Sequence, residues 1–136
     1  GIRQYMDDTK ALAKEQGYVE TIFGRRSYIT GIKASNPNMR GFAERQAINA
    51  PNQGTAADIV KRAMIRVPPA LKEAGLQAKM LLQVHDELVL ECPAGEADET
   101  CALVKDVMEG APLPARAVSV PLKVEAHAAP NWDEAH

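Results

Sequence analysis

Two short apolar segments separated by a charged triplet most strongly constrain what this sequence can fold into. Met80-Leu81-Leu82-Gln83-Val84 and Leu88-Val89-Leu90-Glu91 each have the length and apolar composition of a strand. The triplet His85-Asp86-Glu87 between them has the length of a turn. We therefore predict an antiparallel hairpin with an acidic tip.

The first thirty residues predict a helix followed by another hairpin. The segment from Arg3 to Gln16 is rich in helix formers, and Gly17 directly after it is typical of a helix closed by a glycine. β-Branched and aromatic residues then predict two strands joined by a turn. These are Tyr18–Ile22, the turn Phe23–Arg26, and Ser27–Ile29.

Prolines divide the middle of the chain in our interpretation. Met39 to Ala50 has helical composition, but Pro51 removes a backbone donor and clashes with the preceding turn, so we expect the helix to end or kink there. A second helical piece is predicted to follow, with Thr55 and Asp58 in a weak form of the reciprocal capping arrangement. Pro68-Pro69 predicts a further break.

The remaining segments set the expected fold class. Ala97 to Met108 predicts a helix, and Val118 to Glu125 predicts a last strand that Pro121 would confine to an edge or a bulge. Together with the two hairpins and the N-terminal helix, this pattern predicts an α+β fold. We expect an antiparallel sheet with helices on one face.

Charge is distributed unevenly along the chain. Residues 1–83 contain 13 lysines and arginines against 7 acidic residues, whereas residues 84–136 contain 3 against 11. A basic segment suits a polyanionic partner, but helix faces of opposite charge in solvent explain the same numbers.

Several features bear on location and on the length of the parent protein. No segment approaches the roughly 18 apolar residues that span a bilayer, and no signal pattern is present, so we expect a cytoplasmic protein without a membrane partner. Cys92 and Cys101 lie outside any Cys/His cluster and are expected to be reduced, structural thiols. Because the chain begins with Gly1 close to a helix, we expect an N-terminal part of the same polypeptide to be missing.

Asp86 and Glu87 are the candidate catalytic residues. A turn between two strands with apolar residues on both faces, expected to be buried, would hold these carboxylates rigidly and leave them accessible. Mg²⁺ prefers oxygen ligands and commonly takes one or two protein carboxylates, with water and phosphate completing its coordination. The alternative is an ordinary solvated turn. His85 has no nucleophile beside it in a recognisable catalytic arrangement.

Three polar residues form a row on the predicted helix. Arg45, Asn49 and Gln53 recur every four residues, so they lie on one face if the helix persists. Their side chains can hydrogen-bond to the acceptors of a duplex minor groove without reading its sequence. A solvated helix face is the alternative. Arg25, Arg26 and Arg40 are further candidates for phosphate contacts, although surface arginines are common.

The sequence resembles the bacterial DNA polymerase I family, also called family A, along essentially its whole length. The segment Gln83–Val89 closely resembles the third motif of that family. The other matching segments occur in the family's order. They are Tyr18–Thr21, Gly24–Arg26, Ala43–Arg45, Ala47–Pro51, Gln53–Asp58 and the ending Asn131–His136.

The resemblance implies a fragment of a right-hand polymerase. Residues 1–73 would be the end of the fingers and the helices that lead to the palm, and residues 74–136 would be the C-terminal palm portion with the His-Asp-Glu hairpin. It also implies template-directed nucleotidyl transfer to a primer 3′ end in replication and repair. The implied partners are primer-template DNA and, in the full enzyme, deoxynucleoside triphosphates.

The same resemblance assigns roles to individual residues. It implies that Asp86 is a ligand in a site of two Mg²⁺ ions, that Glu87 assists nearby and that His85 lies near the primer end. It places Arg40 on the template backbone. It also implies that the row of Arg45, Asn49 and Gln53 lines the minor groove beside the primer terminus and the template.

Two parts of the family pattern are absent from the sequence. These are the upstream aspartate motif and the fingers helix that holds the incoming nucleotide, so we expect this chain alone not to polymerise DNA. The alternative function is a sequence-neutral DNA-binding module without catalysis. A third is a structural fragment that neither binds nor reacts once separated from its parent.

Overall fold

The computed structural model describes residues 1–113 and 115–135, which form two compact units, Gly1–Asp58 and Ile59–His136. Four helices and four strands are described, together with a 3₁₀ turn at Ala94–Glu96. The helices are α1 (Ile2–Gln16), α2 (Pro37–Glu73), α3 (Ala97–Glu109) and α4 (Trp132–Ala135). The strands are β1 (Tyr18–Glu20), β2 (Arg26–Tyr28), β3 (Lys79–Val84) and β4 (Glu87–Glu91). The predicted α+β class is confirmed.

The first unit begins with the predicted helix and hairpin. Gly17 ends α1 in the left-handed region at φ 82°, and its N–H donates to the carbonyl of Ala13 at 2.8 Å. β1 and β2 pair antiparallel, with Tyr18 opposite Tyr28 and Glu20 opposite Arg26. Both elements therefore form where the sequence predicts them, with shorter strands.

Half of the buried core residues of the first unit are alanines. Ala43 and Ala47 of α2 are fully buried with Ala13 of α1, so the helix backbones can approach closely. Val19 of β1, and Ile29 and Ile32 after β2, complete this core. The buried alanines fix which side of α2 faces inward.

The predicted end of a helix at Pro51 and the predicted break at Pro68-Pro69 are wrong. α2 is one helix of 37 residues that continues through Pro51 and through Pro68-Pro69. Each proline removes one donor, but α2 is held from both sides of these positions. Ala43 and Ala47 are buried in the first unit, and Val67 and Leu71 in the second. Burial of these side chains outweighs the local helix preference.

Thr55 and Asp58 do not cap a helix. They lie inside α2, and both accept hydrogen bonds from the loop between β1 and β2. Because no helix begins at this point, the predicted capping arrangement is wrong. The two side chains bind a neighbouring loop instead of their own helix.

The second unit contains the hairpin with the acidic tip. β3 and β4 pair antiparallel, with Val84 opposite Glu87 and Met80 opposite Leu90, and a register shift lies between Met80 and Leu82. Helices cover one face of the hairpin, as predicted. The buried residues there are Val67, Leu71, Ala78 and Val104, and Met80, Leu88 and Leu90 pack against them.

Two expectations about the second unit are wrong. The strands are not buried on both faces, since Leu81 and Leu82 are 54% and 42% exposed. Residues Val118 to Glu125 form no strand in the described part of the chain, where no other strand pairs with them. Pro121 lacks a backbone donor, which disfavours a paired strand further.

Side chains of α2 hold the end of α3. Arg62 donates to the carbonyl of Ala111 at 3.1 Å, and Arg66 donates to the carbonyls of Gly110 and Leu113. Cations at a helix C-terminus also complement its dipole. These two arginines therefore serve the packing of the second unit.

Cys92 and Cys101 are both half-buried free thiols, and burial raises the pKa of Cys101.

Within residues 1–113 and 115–135, no helix has the length and apolar character needed to cross a bilayer.

Candidate functional site

The tip of the second hairpin is a two-residue turn made by His85 and Asp86. The pairing of Val84 with Glu87 closes it, and Gln83 donates a side-chain hydrogen bond to the carbonyl of His85 at 2.7 Å. His85 has φ 54°, in the left-handed region that few non-glycine residues adopt. The turn fixes the backbone at Asp86 while the Asp86 side chain is exposed to solvent.

Asp86 and Glu87 provide two adjacent, exposed carboxylates at this turn. No group of three or more histidine, cysteine or acidic side chains suited to a metal ion occurs in the described part of the chain. Mg²⁺ often takes only one or two protein carboxylates, so this donor set fits part of a magnesium site and needs further ligands.

The polar row lies on a single face of α2 in the first unit. Arg45 and Asn49 each follow a buried alanine by two residues, which turns them about 200° away from the core. The same four-residue step places Gln53 beside Asn49. All three side chains are exposed, and none makes a hydrogen bond or an ion pair within residues 1–113 and 115–135. The row is therefore available to a partner.

Contacts from α1 fix the rotation of α2 at this level. The carboxylate of Glu44, next to Arg45, forms ion pairs with Lys10 at 3.9 Å and with Lys14 at 3.7 Å. The hydroxyl of Tyr5 donates to the carbonyl of Ile48 at 3.0 Å. With the buried alanines, these contacts keep the polar row on the outer side of the unit.

The loop between β1 and β2 is attached to α2 close to Gln53. Arg25 donates to the carboxylate of Asp58 at 2.6 Å and to the carbonyl of Gly54 at 3.3 Å. The backbone N–H of Ile22 donates to the hydroxyl of Thr55 at 3.2 Å. Sequence reasoning missed this attachment because its partners are about 30 residues apart and neither segment indicates the other.

The other candidate arginines differ in their surroundings. Arg26 lies 4.5 Å from the ring centre of Tyr18, and its hydrogen bond to Tyr28 raises the pKa of its guanidinium, which stays charged. Arg40 is half-buried and donates to the carbonyl of Ala34 at 3.3 Å. Both therefore hold their own hairpin or loop.

Comparison with known families decides the identity of the chain. The model of DNA polymerase family A matches residues 1–134. The chain belongs to DNA polymerase family A. The resemblance carried by the Gln83–Val89 segment is therefore confirmed.

Relatives of this family A chain include three bacterial proteins named DNA polymerase I. It is 54% identical over 138 residues to that of Rhizobium leguminosarum and 53% identical over 136 residues to that of Pseudomonas aeruginosa, with all of this chain covered in both. The protein of Geobacillus stearothermophilus is 50% identical over 135 residues, which is 99% of this chain. The chain spans about 14% to 15% of the length of these curated relatives.

A solved family A structure has the same fold. It is the POL domain of Pol1 from M. smegmatis in complex with DNA primer-template and dNTP. The two structures align with a TM-score of 0.88 and 45% sequence identity, covering 98% of this chain and 23% of the other. The chain therefore has the fold of a segment of that domain.

The family match leaves the roles of individual residues as predictions. Asp86, Glu87 and His85 lie in the second unit, and Arg40 and the polar row lie in the first. The predicted subdomain boundary between residues 73 and 74 also stays a prediction.

Proposed function

We propose that this chain is the C-terminal part of a DNA-directed DNA polymerase that adds nucleotides to a primer 3′ end. The observation that carries the proposal is the exposed Asp86 carboxylate on a turn of fixed geometry, in a chain that matches family A over residues 1–134. The M. smegmatis structure, which contains primer-template and dNTP, supports DNA and nucleotide as partners. A role in replication and repair, in the cytoplasm, follows from this proposal.

Asp86 is the residue that would hold Mg²⁺, with Glu87 beside it. When bound, a pair of such ions activates the attacking hydroxyl and stabilises the leaving oxygen in phosphoryl transfer. The contribution of this chain is to position the Asp86 carboxylate. The short turn fixes the backbone that carries Asp86 and leaves its carboxylate exposed, and His85 contributes the neighbouring contact to the primer end.

Arg45, Asn49 and Gln53 would grip the primer-template duplex in its minor groove. Both amide side chains donate and accept hydrogen bonds, and every base pair presents acceptors in that groove with little sequence information. A polymerase needs this indifference to sequence. Arg40 would contact the template backbone, where contacts position the DNA without specifying it.

We infer that the isolated chain does not polymerise DNA. A two-ion site needs more carboxylates than the tip of one hairpin supplies. The additional aspartate and the nucleotide-binding helix are expected from other parts of the parent polypeptide. This chain is accordingly best tested inside a complete polymerase.

A chimera tests the proposal directly. The segment of the R. leguminosarum polymerase that matches this chain is replaced by residues 1–136, and primer extension is measured. We expect the chimera to extend primers and Asp86→Ala to lower the rate about a thousandfold, because a metal ligand contributes several kcal/mol to transition-state stabilisation.

Glu91→Ala is the matched control, since Glu91 is an exposed carboxylate on the same hairpin. It should leave the rate within about twofold of the unsubstituted chimera. Metal-dependent extension that survives Asp86→Ala would contradict the proposal. A chimera that binds duplex DNA without extending it would favour the non-catalytic DNA-binding module instead.

A further inference from the structure

The central helix has a weak point at Pro51, between Asn49 and Gln53, where one helical hydrogen bond is missing. Pro51 has no N–H, so the carbonyl of Ala47 lacks its usual helical donor, and Gly54 adds the flexibility of glycine within the next turn. Asn49 precedes this point and Gln53 follows it. The two amides share one face only if α2 stays regular through Pro51.

The loop between β1 and β2 lies against the helix directly after the weak point. Ile22 and Arg25 of the loop donate hydrogen bonds to α2, and their acceptors lie within the five residues from Gly54 to Asp58. The acceptors are the Gly54 carbonyl, the Thr55 hydroxyl and the Asp58 carboxylate. The loop thus contacts the turn that begins immediately after Gln53.

Close packing accompanies these bonds. A Cβ atom on Gly54 would lie 2.8 Å from the Cγ2 of Thr21 and 3.2 Å from the Nη2 of Arg25. The same glycine that weakens the helix therefore allows the loop to reach it. The flexibility that Gly54 introduces is countered by the contact that Gly54 permits.

The loop is itself well ordered by its own hydrogen bonds. Thr21 is buried, and its hydroxyl accepts from the backbone N–H of Phe23 at 3.3 Å and of Arg25 at 3.2 Å. The N–H of Thr21 donates to the carbonyl of Arg25 at 3.0 Å. A loop with this internal bonding can hold the helix without rearranging.

We propose that Arg25 is a positioning residue: through Asp58 and Gly54 it braces α2 across Pro51 and keeps Gln53 in line with Asn49. This inference rests on the proposed function of the polar row in gripping the minor groove. Arg25, which the sequence offered as a phosphate contact, thus acts on DNA through the helix. Loss of the brace misaligns Gln53, so its contact to the minor groove is lost although the Gln53 side chain is still present.

The test is the response of the chimeric polymerase to one minor-groove acceptor. Primer extension is measured with guanine and with 3-deazaguanine, which lacks the N3 acceptor, placed in turn at the primer terminus and at the template base opposite it, and kcat/KM is compared. We expect the unsubstituted chimera to prefer guanine about tenfold, and Gln53→Ala to abolish that preference. Arg25→Ala should bring the preference close to one, as Gln53→Ala does.

Arg26→Ala is the matched control. Arg26 belongs to the same hairpin, but its contacts in the described part of the chain are to Glu20, Tyr18 and Tyr28, none of them in α2. Its substitution should leave the guanine preference unchanged. A preference lost equally in both arginine variants would overturn the assignment to Arg25.

A second substitution tests the brace by rescue. Pro51→Ala restores the missing helical donor, so the double variant Arg25→Ala/Pro51→Ala should regain most of the guanine preference. If Arg25→Ala does not fold, Arg25→Lys replaces it. A lysine keeps the charge beside Asp58 but lacks the second nitrogen that reaches Gly54, so an intermediate preference is expected.

The outcomes separate the two proposals. A guanine preference in the unsubstituted chimera that persists in Arg25→Ala, even at a lower overall rate, would overturn the brace and leave the minor-groove grip intact. If the unsubstituted chimera shows no guanine preference in either strand, the minor-groove contact of Gln53 is wrong, and the bracing role of Arg25 is wrong with it.

Discussion

Gly54 is the residue where the loop and the central helix approach most closely. Alanine there would place its Cβ 2.8 Å from the Cγ2 of Thr21, a distance at which one of the two must move. Thr21 is buried and hydrogen-bonded within its loop, so it has little room to yield. We therefore predict that Gly54→Ala lowers the free energy of unfolding by about 1–3 kcal/mol, measured by urea unfolding followed by circular dichroism.

Thr21→Ser supplies the control for this prediction. Serine keeps the hydroxyl that accepts from Arg25 and Phe23 but lacks the methyl group that meets the new Cβ. The double variant Gly54→Ala/Thr21→Ser should be more stable than Gly54→Ala alone. Equal stability of the two would show that the methyl contact does not carry the cost.

At the residue scale, the sequence predicts chemistry better than it predicts contacts. Asp86 stands out because a carboxylate at a turn between apolar strands is visible in a local pattern. The ion pair of Arg25 with Asp58 is not visible in a local pattern, because 33 residues separate the two. The sequence therefore identifies the candidate site residues but not the contact that braces them.

At the scale of elements, local and non-local contacts separate what could be predicted from what could not. Both hairpins and α1 were predictable because their turns, strand composition and closing glycine lie within a few residues of each other. The continuity of α2 through Pro51 depends on buried residues and loop contacts distant in sequence. The expected last strand fails for the same reason, since no described strand pairs with it.

The hairpin at the candidate metal site depends on the left-handed conformation of His85. At φ 54° a β-branched side chain is strained, whereas glycine is not. We predict that His85→Val lowers the free energy of unfolding by about 1–2 kcal/mol, and that His85→Gly leaves it unchanged or raises it, both measured by thermal unfolding. Equal losses in both variants would instead indicate that the imidazole itself stabilises the turn.

His85→Gly also separates the two roles considered for this residue. Because the glycine variant keeps the turn but lacks the imidazole, its primer-extension rate in the chimera reports on contact with the primer end alone.

At the scale of the whole molecule, the structure changes the meaning of the charge distribution. Residues 1–58 contain 8 lysines and arginines against 6 acidic residues, and residues 59–136 contain 8 against 12. Much of the excess positive charge before residue 84 thus belongs to the second unit, where Arg62 and Arg66 bind carbonyls of the chain. Net charge is therefore a weak argument for DNA binding by either unit, and the polar row is a stronger one.

This distinction gives a prediction for the salt dependence of primer-template binding by the chimera. Each phosphate neutralised by a cationic side chain contributes about −0.9 to the slope of log affinity against log salt concentration. Arg45→Ala should lower affinity and make the slope shallower by up to about 0.9, whereas the neutral Asn49→Ala and Gln53→Ala should lower affinity with the slope unchanged. Fluorescence anisotropy between about 50 and 200 mM salt measures both quantities. If the amide variants changed the slope as Arg45→Ala does, they would be acting through a displaced Arg45, and a direct minor-groove contact by the two amides would be wrong.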